Sequence, residues 1–91
     1  MIRWSNEKDK WLRENRGLSF QEIANAIVDG HLIASLENPS RAGQEIFVIW
    51  IQDNTWVVPF VVEEDGALFL KTAFPSRKLH RRYGGSYGQK K

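Results

Sequence analysis

Glu45-Ile46-Phe47-Val48-Ile49-Trp50-Ile51-Gln52 is followed by Asp53-Asn54 and then by Thr55-Trp56-Val57-Val58-Pro59-Phe60-Val61-Val62. Both flanks are rich in β-branched and aromatic residues, which suit a pleated, half-buried surface, and the two polar residues between them suit a tight turn. The stretch therefore predicts a β-hairpin with strands over 45–52 and 55–62. Pro59 is anomalous inside a strand because it cannot donate to a ladder. That predicts a bulge there, or a missing bond directed away from the neighbouring strand.

Downstream, Glu63-Glu64-Asp65-Gly66 reads as a solvated turn into a last strand over 67–74, ended by Pro75. Upstream, His31 to Leu36 reads as a short strand, and residues 37–43, with Asn38-Pro39-Ser40, as a loop. Two helices precede it. Ser5 is a cap for a helix over 6–15 that stops at Gly17, with Trp11 and Leu12 as its apolar stripe and Asp9 and Glu14 as surface charges. Ser19-Phe20-Gln21-Glu22 has the capping-box pattern and opens a helix to Val28. Its apolar residues Phe20, Ile23, Ala24, Ile27 and Val28 share one face. The expected architecture is α+β, with two N-terminal helices packed on one face of a three- to four-stranded antiparallel sheet. Trp4 is expected under the first helix, and Trp11, Trp50 and Trp56 in the core.

The chain has 91 residues, 42% of them hydrophobic and 26% charged, the composition of one small globular domain. That domain is placed over 1–83, with 84–91 too small and polar to pack and expected as a flexible basic tail. The longest apolar runs fall far short of the ~20 residues a membrane span needs, and the opening Met1-Ile2-Arg3-Trp4 is not a signal segment, so a cytoplasmic protein is expected. Without cysteine there is no disulfide and no thiolate zinc site. His31 and His80, 49 positions apart, do not suggest a metal site, and the plainer reading of His31 is structural. No paired carboxylates stand out, and Gly84-Gly85-Ser86-Tyr87-Gly88 lacks the following helix that a phosphate loop requires. No cofactor is expected.

The distribution of charge is more informative than the formal total of +2. Residues 1–70 hold six basic residues, Arg41 among them, against all eleven acids, whereas residues 71–91 hold seven basic residues and no acid. Clustered cations raise the local potential and release counterions on meeting phosphates, which makes a nucleic acid the natural partner of this end. The alternative is a non-catalytic nucleic-acid-binding or partner-binding module built on the same basic surface.

Trp4-Ser5-Asn6-Glu7-Lys8 and Asn15-Arg16-Gly17-Leu18-Ser19-Phe20-Gln21-Glu22 resemble the opening of BrnT-type toxins, and the order of elements agrees. Phe69-Leu70-Lys71-Thr72-Ala73-Phe74-Pro75-Ser76-Arg77-Lys78 resembles the end of the wider RelE-like class of bacterial toxins. The resemblance implies a toxin of a type II toxin-antitoxin system: a metal-independent endoribonuclease that cleaves mRNA, free or on the ribosome, and that is covered by a DNA-binding antitoxin.

Such cleavage needs a base for the 2′-hydroxyl, cations for the phosphate and an acid for the departing 5′-oxygen. His80 is the candidate acid/base because its ordinary pKa of ~6.5 lies near neutrality. Arg77 is the candidate bidentate phosphate clamp, and Lys71, projecting from the last strand, a point charge. Lys78, Arg81 and Arg82 are assigned to flanking phosphates and Tyr83 to stacking on a base.

Overall fold

The hairpin is the centre of the sheet. In a computed structural model of the chain, which describes residues 1–38 and 42–84, β3 (Glu45–Ile51) and β4 (Asn54–Val62) pair antiparallel from Glu45↔Phe60 to Ile51↔Asn54. The turn falls on Gln52 and Asp53, one residue earlier than expected, and both lie in the left-handed region at φ 55° and 56°. A two-residue turn with two positive φ values matches the right-handed strand twist. The shift has a consequence for the site: Trp50 now pairs with Thr55, whereas a turn at Asp53-Asn54 would set it opposite Val57. Asn38, and with it the start of the expected loop, is described, but the Pro39-Ser40-Arg41 part of that loop and residues 85–91 of the expected tail lie outside the described residues.

Around the hairpin the sheet runs β1 (Ile2–Trp4), β5 (Leu68–Leu70), β4, β3, β2 (Leu32–Glu37), with β6 (Phe74–Pro75) also on β4, so among the described residues it has six strands and is mixed, not a three- or four-stranded antiparallel one. The α+β class holds, but the strand count and helix order differ from expectation. β1 (Ile2–Trp4) was not anticipated; it pairs parallel with β5 (Leu68–Leu70). Three residues carry no readable period, and a parallel partner 66 positions away leaves no local signal. Arg3 secures this edge through Glu63 at 3.0 Å and Asp65 at 2.9 Å. β2 (Leu32–Glu37) forms the other edge.

The expected last strand over 67–74 is broken in two, β5 and β6 (Phe74–Pro75). Pro59 accounts for the break. Its carbonyl accepts from the Lys71 amide at 2.8 Å, so its own nitrogen faces the same edge of β4, where it has no proton to give back. The ladder lapses at Lys71 and resumes at Phe74↔Val57 and Pro75↔Trp56.

α1 (Asn6–Arg16) is capped by Ser5 and ends on Gly17 at φ 65°, and α2 (Phe20–Val28) has both halves of its capping box. Their apolar residues meet Phe47, Ile49, Trp56, Val58 and Phe60 in one core. Trp4 stacks on Phe20 at 5.9 Å between ring centres. Three readings need correction. Trp11 is exposed, with the Lys8 ammonium 4.2 Å and the Arg16 guanidinium 4.8 Å from its ring centre, because α1 buries only Leu12. Val28 is 79% exposed at the last turn of α2, and Ala26 takes a buried place. Asp9 is a connector and not a free surface charge: its carboxylate accepts from the Phe20 amide at 2.8 Å and from Arg13 at 3.1 Å, tying α1 to α2.

The opposite face of the sheet is also covered. By strand alternation Thr55 and Val57 point away from the α1/α2 core, and the C-terminal segment lies on that side: α3 (Arg77–Leu79) continues into a π-helical turn over His80–Gly84 that packs on β4. Among the described residues no helix is long and apolar enough to cross a membrane.

Three outcomes follow from these contacts. Ser19→Ala removes the acceptor for the Glu22 amide at 3.1 Å and is expected to lower stability by about 1 kcal/mol in urea denaturation. Trp56 is 5% exposed and its indole N–H has no hydrogen-bond partner among the described residues, so Trp56→Phe is expected to cost about 1.5 kcal/mol or less, against roughly 3–5 kcal/mol for Trp56→Ala. The Ala67 amide, and after it Arg3, holds the Asp65 carboxyl below its ordinary range. Its stabilising contribution is thus present at neutral pH and lost as pH falls through that lowered range. Urea midpoints at neutral and strongly acidic pH should show Asp65→Asn less stable than the parent at neutral pH, with the gap closing in acid.

Candidate nucleic-acid interface

The candidate residues are arranged by how the chain leaves β5. Lys71 to Ala73 pass from β5 to β6 as coil. Ala73 is fully buried, and its carbonyl accepts from the Arg16 guanidinium at the end of α1, which pins the crossing to the helical layer. Pro75 pairs beside Trp56, and Ser76 then anchors the next turn. Its amide donates to the Thr55 carbonyl at 3.1 Å, its hydroxyl accepts from the Leu79 amide at 3.2 Å, and its carbonyl accepts from the His80 amide at 2.9 Å. Serine with its side chain turned back on the third amide is an N-cap, and it starts α3.

His80 is thereby laid on the sheet. Its Nδ1 lies 3.0 Å from the Thr55 hydroxyl, and its ring stacks on Trp50 at 5.7 Å and 10°. Thr55 is 0% exposed, so this hydroxyl is held in a dry setting where a hydrogen bond is costly to lose. Engaging Nδ1 fixes the orientation of the imidazole, and the hydroxyl can accept from Nδ1–H or donate to a bare Nδ1 according to the tautomer. Nε2 has no hydrogen-bond partner among the described residues.

Helical geometry then sorts the cations. Arg77, His80 and Arg81 share a recess of about 570 Å³ with Asn54 and Pro75. Lys78 and Arg82 lie instead along a separate groove. Tyr83 is half-buried, with the Arg82 guanidinium 5.5 Å from its ring centre, so one side of the proposed base platform is engaged by the chain itself. Lys71 is not brought to the recess. It is exposed on the coil after β5, its ammonium 5.3 Å from the Phe69 ring centre. Of the three candidate catalytic residues, two are assembled and one is set apart.

Trp50, Thr55 and Asn54 belong to this site and were not read from sequence. Trp50 was assigned to the core, but it is half-buried and faces the layer opposite the main core. The available signal was Pro75-Ser76 followed by the run to Tyr83, a start pattern for a helix that would fold the cations back over the sheet. His31, read as structural, supplies a carbonyl to the Trp50 amide at 3.0 Å.

An aromatic ring beneath an imidazole, a buried hydroxyl on its Nδ1 and two guanidiniums beside it form a place where a phosphodiester can be held and a proton moved. Comparison of the chain with protein-family models, curated proteins and solved structures finds no match.

Thr55→Val removes the Nδ1 partner while keeping the side-chain shape. Nitrogen-detected NMR of the His80 ring should show one dominant neutral tautomer in the parent and a mixture in Thr55→Val; Thr55→Ser should restore the parent pattern.

Proposed function

We propose that this chain is the toxin of a type II toxin-antitoxin pair, an endoribonuclease that cleaves mRNA without a metal and is held in check by a DNA-binding antitoxin. The observation that carries the reading is the convergence of Arg77, His80 and Arg81 on one recess, with the His80 ring oriented by Thr55 and Trp50. In this reading His80 Nε2 takes the proton of the 2′-hydroxyl, the 2′-oxygen attacks phosphorus, and the bond to the 5′-oxygen breaks. The products are a 2′,3′-cyclic phosphate and a 5′-hydroxyl, the latter protonated from solvent at the open recess. Arg77 and Arg81 offset the charge gathering on the non-bridging oxygens. Lys71 holds a phosphate outside the reacting group, whereas Lys78 and Arg82 line the groove behind the recess. The resemblance of residues 4–83 to BrnT-type and RelE-like toxins supports the same reading.

Expression in a bacterial host is expected to arrest growth, and co-expression of the small neighbouring gene to relieve it. Arg77→Ala combined with His80→Gln should remove toxicity while circular dichroism shows the fold retained, and in a purified assay should slow cleavage by about a hundredfold or more. A fully toxic double variant sinks the site assignment. Tight RNA binding with no cleavage, by parent and variant alike, would favour the non-catalytic module.

A further inference from the structure

The face of α3 turned away from the recess forms one wall of an apolar groove. Its floor is Ile46, Val57 and Pro59 from the sheet together with Leu79, and its lips are Leu36 on β2 and Phe74 on β6. Leu36 is 36% exposed and Phe74 37%, large apolar side chains left in water at a sheet edge. Lys78 and Arg82 line the α3 side, and neither is ion-paired with a carboxylate among the described residues. Glu37 lies on the β2 side.

From this asymmetry we infer that the groove docks an acidic amphipathic segment of a second protein, its apolar side chains seated on Ile46, Val57 and Pro59 and its carboxylates directed at Lys78 and Arg82. The inference rests on the reading that a partner protein covers this chain, and it places that partner behind the recess and not in it. Charge sets both the sign and the direction of the occupant. Two unpaired cations on one wall attract carboxylates, while Glu37 repels them from the other. The floor sets its class. A nucleobase is held by aromatic faces and polar edges, whereas this floor is aliphatic, which suits leucine-like side chains. The chain's own basic end carries the wrong sign for a rim formed by Lys78 and Arg82.

The test uses two amphipathic peptides of about four helical turns, with leucines at i, i+3, i+4 and i+7 and either glutamate or lysine at the flanking positions. Calorimetric titration into the full chain is expected to show binding of the glutamate peptide alone. Its Kd should rise at least about tenfold against Leu36→Asp and against Phe74→Ser, each first shown by circular dichroism and thermal melting to be folded like the parent. RNA affinity of those two variants, read by anisotropy, should stay within about twofold of the parent. The inference is overturned if the glutamate peptide does not bind, if it binds the groove variants as tightly as the parent, or if the groove variants lose RNA instead. Absence of RNA cleavage by the parent would leave the peptide result standing, so failure of the catalytic reading and failure of this one are separable.

Discussion

Thr55 is the residue on which the candidate site depends. Its carbonyl takes the Ser76 amide and its hydroxyl meets His80 Nδ1, so one fully buried residue holds both the start of the C-terminal helical turn and the imidazole that the turn carries. A threonine beside a two-residue hairpin turn has its backbone fixed by the ladder, and it passes that fixity to a segment of dense positive charge. Without this tie the four cations between Arg77 and Arg82 would repel one another along a solvated strand end. With it they are divided. Arg77 and Arg81 are set beside His80, and Lys78 and Arg82 are set along the groove behind.

The tie works because the chain can leave the sheet where it does. Pro59 faces Lys71 without a proton to offer, which ends one short strand and frees three residues to cross before the next begins. Arg16 holds the middle of that crossing by the Ala73 carbonyl. A proline, an arginine from the first helix and a buried threonine thus fix the position of His80. None of them belongs to the basic run itself.

Much of this architecture was legible where the signal is local. Ser5, Ser19 and Glu22 announce helix starts because the bonds they make lie within four residues, and the Val/Ile/Phe-rich flanks of the hairpin announce strands because a pleated surface selects those shapes. The basic end is legible from charge, and Arg77 with His80 from residue type, but residue type groups Lys71 with them and sets Arg81 among the flanking cations, whereas Arg81 and not Lys71 lines the recess. What failed to show depends on distance along the chain. β1 exists only through a partner far away in sequence, and Trp11 looked like core because its composition cannot reveal that two cations from its own helix would cover it in place of the sheet. The division of 67–74 was foreshadowed by Pro59, since a strand neighbour that lacks a donor interrupts whatever pairs with it. The two-residue shift in cross-strand partners that brings Trp50 beside Thr55 rests on which dipeptide takes positive φ, a choice between Gln52-Asp53 and Asp53-Asn54 that residue type alone does not make.

In the proposed function RNA would meet the side of α3 and its π-helical turn that carries Arg77, His80 and Arg81, beside Thr55 on the sheet. Backbone-amide chemical-shift mapping with a short RNA oligonucleotide, made uncleavable by 2′-methoxy groups, tests it most directly. The largest shifts are expected on Asn54, Thr55, Arg77, His80 and Arg81, with α1 and α2 unmoved; shifts centred on α2 or on the Leu36 and Phe74 groove, or no shifts at all, would contradict this placement of RNA.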